Sequence, residues 1–436
     1  MSYIKALIAL CIVCTNNNVM AAEWSVNSNL DAYVQHDDNV YLSSENATSA
    51  TSGNFSPSLN LQYAEPEETF KSELNLSITD YAEHPELKRE EGAFGIEWLK
   101  KFEHSDFQIN SKYKLDSSLN SELDFSGISE QQVDRETIFF KWAWTYKFSE
   151  SDGFNLSMSY SDVVYDEPGF NNFEYIKAIN FLNYKQVSTN ATYYKDITES
   201  NRFSLTINHT DYAGEGNGLL FVGMAPLNIG PLADEISKDY KYDVVKLEYV
   251  YKMSPTSIIN FSIGANQVDV KEERSTFLID QRTGVNYGSQ GVTESNSSKS
   301  GQEYGFGYVF NQSNAKFSFD MSQGKDTDSV GGVVDIQALD INYSYRSSER
   351  LLFNTSLNLE KRETEESVSN TSSNTDRDRL SVTQQINWSV SKNIIFSTSY
   401  RYTKLTENLE IGSNVGDSNV IYLGINWSFD KLATTY

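Results

Sequence analysis

Apolar and polar residues alternate one for one along most of this chain. Ile138, Phe140, Trp142, Trp144, Tyr146 and Phe148 take every second position, with Lys141, Ala143, Thr145 and Lys147 between them. Leu380, Val382, Ile386, Trp388 and Val390 repeat the pattern against Ser381, Thr383, Gln385, Asn387 and Ser389. A period of two sends successive side chains to opposite faces, so each run predicts a β-strand with one apolar and one polar face. The same grammar recurs from Trp24–Val34 to Ile421–Phe429 and predicts about eighteen strands. Helical spacing is scarce.

The connections alternate too. Short turns such as Ala64–Thr69, His104–Asp106, Ser149–Gly153 and Ser391–Asn393 separate long polar stretches such as Ser43–Asn54, Asp116–Gln132, Lys271–Gly301 and Glu363–Asp378. That short–long rhythm predicts an all-β, antiparallel, up-and-down outer-membrane barrel with short periplasmic turns and long extracellular loops. An even strand count places both termini on the periplasmic side. A soluble sandwich would need both sheet faces more apolar and its hairpins less evenly spaced. Tyr63 and Phe70, Phe102 and Phe107, Phe148 and Phe154, and Phe310 and Phe317 flank short turns, which predicts a periplasmic aromatic girdle. Tyr81, Tyr165, Tyr212 and Tyr402 fall at the opposite strand ends and suggest a second girdle there.

Residues 1–21 carry Lys5, then the apolar run Ala6–Cys14, then a polar patch and Val19-Met20-Ala21-Ala22. This predicts a secretory signal cleaved near Ala21 or Ala22, leaving residues 22–436 as one barrel domain. The apolar run is too short to cross a bilayer. Both cysteines, Cys11 and Cys14, lie within it, so disulfides and thiolate chemistry are not expected in the barrel. At the other end, Gly424, Ile425, Trp427 and Phe429 resemble the C-terminal signal that the barrel assembly machinery reads. Residues 430–436 run past that aromatic. They form either a short periplasmic tail or, with Tyr436 as the terminal aromatic, a last strand in a different register.

The net charge of −25 argues against nucleic acid as a partner. Most of the excess acid falls in the long polar stretches, as a self-repelling surface or as a vestibule that concentrates cations. Divalent cations could also bridge these loops to lipopolysaccharide phosphates. One stretch breaks the polar rule: Gly218–Leu232, with Leu219, Leu220, Phe221, Met224 and Pro226, is too apolar to stand in water. It is expected to fold inward and constrict the pore, the alternative being contact with the rim or a partner.

Candidate chemistry is sparse. His209 with Asp211, and His36 with Asp37 and Asp38, are the compact groupings, and no serine nucleophile motif accompanies them. No catalytic site, cofactor or metal centre is expected, although Asp37-Asp38-Asn39 has the oxygen ligands for loose divalent binding. The polar alternates, rich in Ser, Thr, Asn, Gln and Lys, suit a hydroxyl- and amide-lined sugar route.

Trp24 followed by His36-Asp37-Asp38-Asn39-Val40-Tyr41-Leu42 resembles the opening of the β-barrel porin 2 family, with His36 where that family favours tyrosine. The strand–turn–strand unit Tyr184–Tyr212 is similar as well. The resemblance implies an outer-membrane barrel of a Gram-negative bacterium, associated with exopolysaccharide loci. The expected function is a porin-like channel linked to exopolysaccharide export or biosynthesis. The alternative is a structural or adhesive barrel whose acidic loops do the work. Expected partners are outer-membrane lipid, lipopolysaccharide, the assembly machinery, and polysaccharide or export-complex proteins.

Overall fold

The computed structural model describes residues 22–44, 47–117, 123–124, 127–128, 133–166, 183–220, 232–279, 286–327, 333–364, 376–409 and 412–435. The signal segment 1–21, Phe221, Met224, Pro226 and Tyr436 lie outside the described residues.

Eighteen strands form the wall. The first six are β1 (Glu23–Asp37), β2 (Ala50–Ala64), β3 (Glu68–Tyr81), β4 (Arg89–Lys101), β5 (Ser105–Ser117) and β6 (Asp134–Lys147). Next come β7 (Asp152–Tyr165), β8 (Asn183–Thr198), β9 (Asn201–Leu220), β10 (Leu232–Ser254), β11 (Ser257–Ile279) and β12 (Asn286–Asn311). The last six are β13 (Ala315–Thr327), β14 (Val333–Arg346), β15 (Leu351–Thr364), β16 (Asp376–Ser389), β17 (Ile394–Leu409) and β18 (Gly412–Ser428). Each pairs antiparallel with its chain neighbours, and β1 pairs with β18, so the sheet closes on itself. Closure removes the unpaired edge that an open sheet would present, which is what a strand needs in a solvent without water.

The predicted faces are the observed ones. Phe55, Leu59, Leu74, Ile78, Ile207, Val245, Phe261 and Leu423 all project outward and are exposed. An apolar band of this size cannot face water in a soluble monomer, and a lipid belt accounts for it. The aromatics beside the short turns point outward as a girdle, with ring contacts such as Trp24–Tyr63 at 4.9 Å, Tyr146–Phe148 at 5.3 Å and Trp427–Phe429 at 4.9 Å.

Three expectations change. Tyr81, Tyr165 and Tyr212 do not form an outer girdle. They sit one position out of phase with the lipid-facing residues of β3, β7 and β9, so they point inward and are buried. The stretch Lys271–Gly301 is largely paired strand rather than loop, because β11 and β12 run on from Val268 opposite Lys299 to Thr276 opposite Gly291. Strands β9 to β12 are 20 to 26 residues long, well beyond the roughly ten that a tilted strand needs to cross a bilayer. This quarter of the wall therefore stands taller than the rest. Thirdly, the chain end does not hang free. Leu432–Thr435 is a short strand paired with Glu23–Val26, one register step from the β1–β18 ladder. The extra residue is a bulge that restores the face: Leu432, opposite Val26, points outward at 71% exposure.

Candidate functional site: the mouth and the lumen

The described parts of the first outer connection, residues 38–44 and 47–49, follow β1 and fold back into the mouth. Their apolar triplet carries them there: Val40 and Leu42 are buried, and Val40 packs with Ala50, Tyr81 and Leu87, with Tyr41 against the same cluster. Leu42 has a φ of 54°, a left-handed conformation that a branched side chain adopts only under constraint. Its carbonyl oxygen lies over Gly416 of β18, where a Cβ would collide with it. The close approach requires glycine at that position.

Asp37-Asp38-Asn39 supplies the constraint. The Asn39 Nδ2 donates to the carbonyls of Ser43 (2.8 Å) and Asp417 (2.9 Å), and its Oδ1 accepts from the Ser43 N–H at 3.1 Å. Asp37 Oδ1 accepts from the Asn39 N–H (2.9 Å) and from the Ser418 hydroxyl (2.7 Å). The Asp38 carboxylate receives the Asn419 N–H at 2.7 Å and the Asn419 Nδ2 at 2.8 Å. All three residues thus tie the outer end of β1 to β18, across 381 residues of sequence in the case of Asp37 and Ser418. Asp37 Oδ1, both Asp38 carboxylate oxygens and Asn39 Oδ1 accept from protein donors, and the described residues contain no group of three metal-ligating side chains placed for an ion.

The remaining sequence-predicted positions are split. In β18, Gly424 faces inward beneath the Tyr422 ring, while Ile425 and Trp427 face lipid and Phe429 follows them just past the strand end. Leu219 and Leu220 end β9, and the centre of the apolar stretch lies outside the described residues. The inward-folding segment that is seen is therefore the first outer connection. Its signal was the run Val40-Tyr41-Leu42, directly after a polar clamp. His209 bonds Asp243 (2.7 Å) and Asp211 (3.0 Å), but this trio points outward above Ile207 and Val245, away from the lumen. His36 bonds the Thr51 hydroxyl at 3.0 Å on the same outer face.

The lumen wall is polar. Near the periplasmic end of β12 to β16, Asn342, Ser344, Asn354, Ser356, Thr383 and Gln385 line a groove of about 460 Å3. At the outer ends of β8 to β10, Tyr184, Tyr212 and Tyr240 stack from strand to strand, with centroids 5.0 Å and 4.4 Å apart. Midway along their strands, Lys112, Lys141 and Arg401 point inward and remain exposed. Side chains of the described residues thus do not fill the barrel at that height, as expected of a ring this wide. A larger hollow, about 1370 Å3 and lined by Val34, Phe55, Ile78, Phe396 and Leu423, lies on the outer face of the seam and belongs to the lipid side.

Sequence reasoning also missed the arginines of the lumen. Arg362 on β15, Arg377 and Arg379 on β16, and Arg401 on β17 all take inward positions. Arg377 donates from Nε (3.0 Å) and from its terminal nitrogen (2.6 Å) to Glu407, and the pair is buried. Arg362 bonds Glu360 at 2.6 Å. The signal was parity, because Arg377 and Arg379 are in phase with Ser381 and Thr383.

No family model matches the sequence, and no curated protein matches it. Among solved structures, the chain is similar to the ferric-catecholate import receptor Fiu from E. coli K12 in its open form. The TM-score is 0.50 at 9% identity, over 92% of this chain and 81% of that one. The ferric citrate transporter FecA in its unliganded form gives 0.49 at 9% identity, over 92% and 79%. OccAB2 from Acinetobacter baumannii gives 0.43 at 12% identity, over 93% and 98%. The likeness to Fiu is one of fold: the chain has the closed-barrel fold of outer-membrane proteins.

Proposed function

We propose that this protein is a porin-like channel of the bacterial outer membrane, linked to exopolysaccharide export or biosynthesis. The observation that carries the channel reading is the set of inward side chains, Lys112, Lys141 and Arg401, that stay exposed midway along the wall. A filled barrel would bury them. The saccharide reading draws on the amide- and hydroxyl-lined groove, since sugars present many hydroxyls. The exopolysaccharide link rests on the resemblance around Asp37-Asp38-Asn39. Lipid and lipopolysaccharide surround the outer band in this reading, and the assembly machinery recognises the strand ending in Trp427 and Phe429.

Conductance of the refolded protein in planar bilayers tests it. A steady current interrupted by long neutral oligosaccharides is the expected result. A folded barrel that passes no current overturns the channel reading. It would favour an adhesive barrel instead, for which the tall wall of β9 to β12 supplies a projecting surface.

A further inference from the structure

The chain is strongly acidic, yet one stretch of its inner wall is basic. On three adjacent strands, Arg362, Arg377, Arg379 and Arg401 face the lumen, and the carboxylates set among them are Glu360 and Glu407. Both carboxylates are engaged, Glu407 by Arg377 and Glu360 by Arg362. Arg379 and Arg401 have no ion-pair partner within 4 Å among the described residues. The Arg379 Nε is buried without a hydrogen-bond acceptor among the described residues; Glu360, opposite it in register, attracts it, and Arg401 and Arg362 are also within electrostatic reach. A buried guanidinium nitrogen left without an acceptor is costly, and an arriving anion would supply one. Guanidinium groups in such a cluster suit the planar, two-oxygen geometry of a carboxylate.

The wall half-way round the ring is basic as well. Lys112 of β5 and Lys141 of β6 point inward, midway along their strands, with no ion-pair partner among the described residues. The inward carboxylates near mid-wall are Asp31 on β1, Glu73 on β3, Glu97 on β4, Glu248 on β10, Glu303 on β12, and Asp320 and Asp340, opposite each other on β13 and β14. None of these carboxylates is ion-paired with Arg379 or Arg401 among the described residues.

We infer that the inner wall of β15 to β17 is a binding site for carboxylate-bearing saccharides, with Arg379 and Arg401 as the anion contacts. This deepens the channel reading and rests on it only for the route by which the ligand arrives. The basic site lies inside the barrel, where loop charges more than about 10 Å away are largely screened at physiological salt.

The test is block of the single-channel current by trigalacturonate, compared with maltotriose, for the refolded full barrel. Trigalacturonate is expected to block at lower concentration than maltotriose, with the preference shrinking as KCl is raised. Arg379→Gln with Arg401→Gln is expected to weaken the trigalacturonate block about tenfold relative to the maltotriose block, the loss of roughly one charge-assisted hydrogen bond. Heat-modifiable migration reports whether the double variant has folded. Arg401→Gln alone, at an exposed position, serves if it has not. Equal block by the two sugars, or a variant that keeps the preference, overturns the site. A barrel with no current overturns the channel reading alone. Equilibrium binding of trigalacturonate to native and variant protein in detergent then decides the site by the same tenfold criterion.

Discussion

The two ends of the seam between β1 and β18 are closed by different means. At the outer end, Asp37, Asn39 and Ser418 are buried, hydrogen-bonded to one another or to the backbone, and covered by Val40 and Leu42. At the periplasmic end, Lys431 meets Glu23 at 3.0 Å and Lys392 meets Asp430 at 3.0 Å, all of them exposed. Buried polar groups cost heavily when a partner is removed, whereas exposed ion pairs are screened and contribute little. The clamp at the mouth should therefore set the stability of closure, and the bridges at the base should matter less.

The largest effect is expected from Gly416→Leu, which places a side chain where the Leu42 carbonyl lies. Loop 38–49 must leave the mouth, at a cost on the order of 4 kcal/mol or more. Loss of cooperative denaturant unfolding, with new protease cleavage in that loop, is the outcome to look for. Glu407→Ala comes next. It removes the carboxylate that accepts two hydrogen bonds from the buried Arg377 guanidinium, and about 3 kcal/mol should be lost from the unfolding free energy. Asn39→Ala removes one hydrogen bond from loop to wall, at Asp417, and two within the loop, at Ser43. Each buried group left unsatisfied should cost about 1–3 kcal/mol, seen as a lower denaturant midpoint at unchanged slope. A midpoint equal to that of the native protein would mean that the clamp is ornamental.

At the base of the seam, Lys431→Ala should shift the midpoint by no more than about 1 kcal/mol. A shift as large as that of Asn39→Ala would erase the contrast between the two ends. Asp430 adds a pH test. The Asn393 amide, then the Lys392 ammonium, holds its carboxyl below the usual value of 3.8. Because the folded value is the lower one, this stabilisation is complete above pH 3.8 and fades as pH falls through the depressed value. Amide exchange of Leu432–Thr435 should quicken only in that acid range, and by little, since the group is fully exposed.

Much of the architecture was legible because a strand has only two faces. The outward set from Phe55 to Leu423 follows from alternation, and the periplasmic girdle follows from aromatics placed in that phase beside short turns. Parity also contained what the first reading overlooked. Tyr81, Tyr165 and Tyr212 are out of phase with their lipid-facing neighbours, so their place at strand ends misled. The height of β11 and β12 was hidden for another reason. Where both faces meet water the alternation disappears, and Glu272–Thr276 and Gly291–Ser300 read as loop although their backbones are paired. In the candidate site, the hydroxyl and amide lining was legible position by position, and the arginine cluster was not, because it gathers side chains from three strands.

The sequence by itself determined the period of two, the lipid-facing and lumen-facing sets, and the hairpin rhythm, since each depends on local backbone geometry and neighbouring residues. Tertiary structure alone decided which groups meet once the ring is shut. Asp37 and Asp38 reach Ser418 and Asn419, the chain end shifts register to continue along β1, and the first outer connection occupies the mouth. The same holds for the basic wall, because Arg379 and Arg401, four positions apart along the paired strands, come within electrostatic reach only once β16 and β17 pair. Such contacts depend on the strand count and stagger that let the barrel close, which no local pattern specifies.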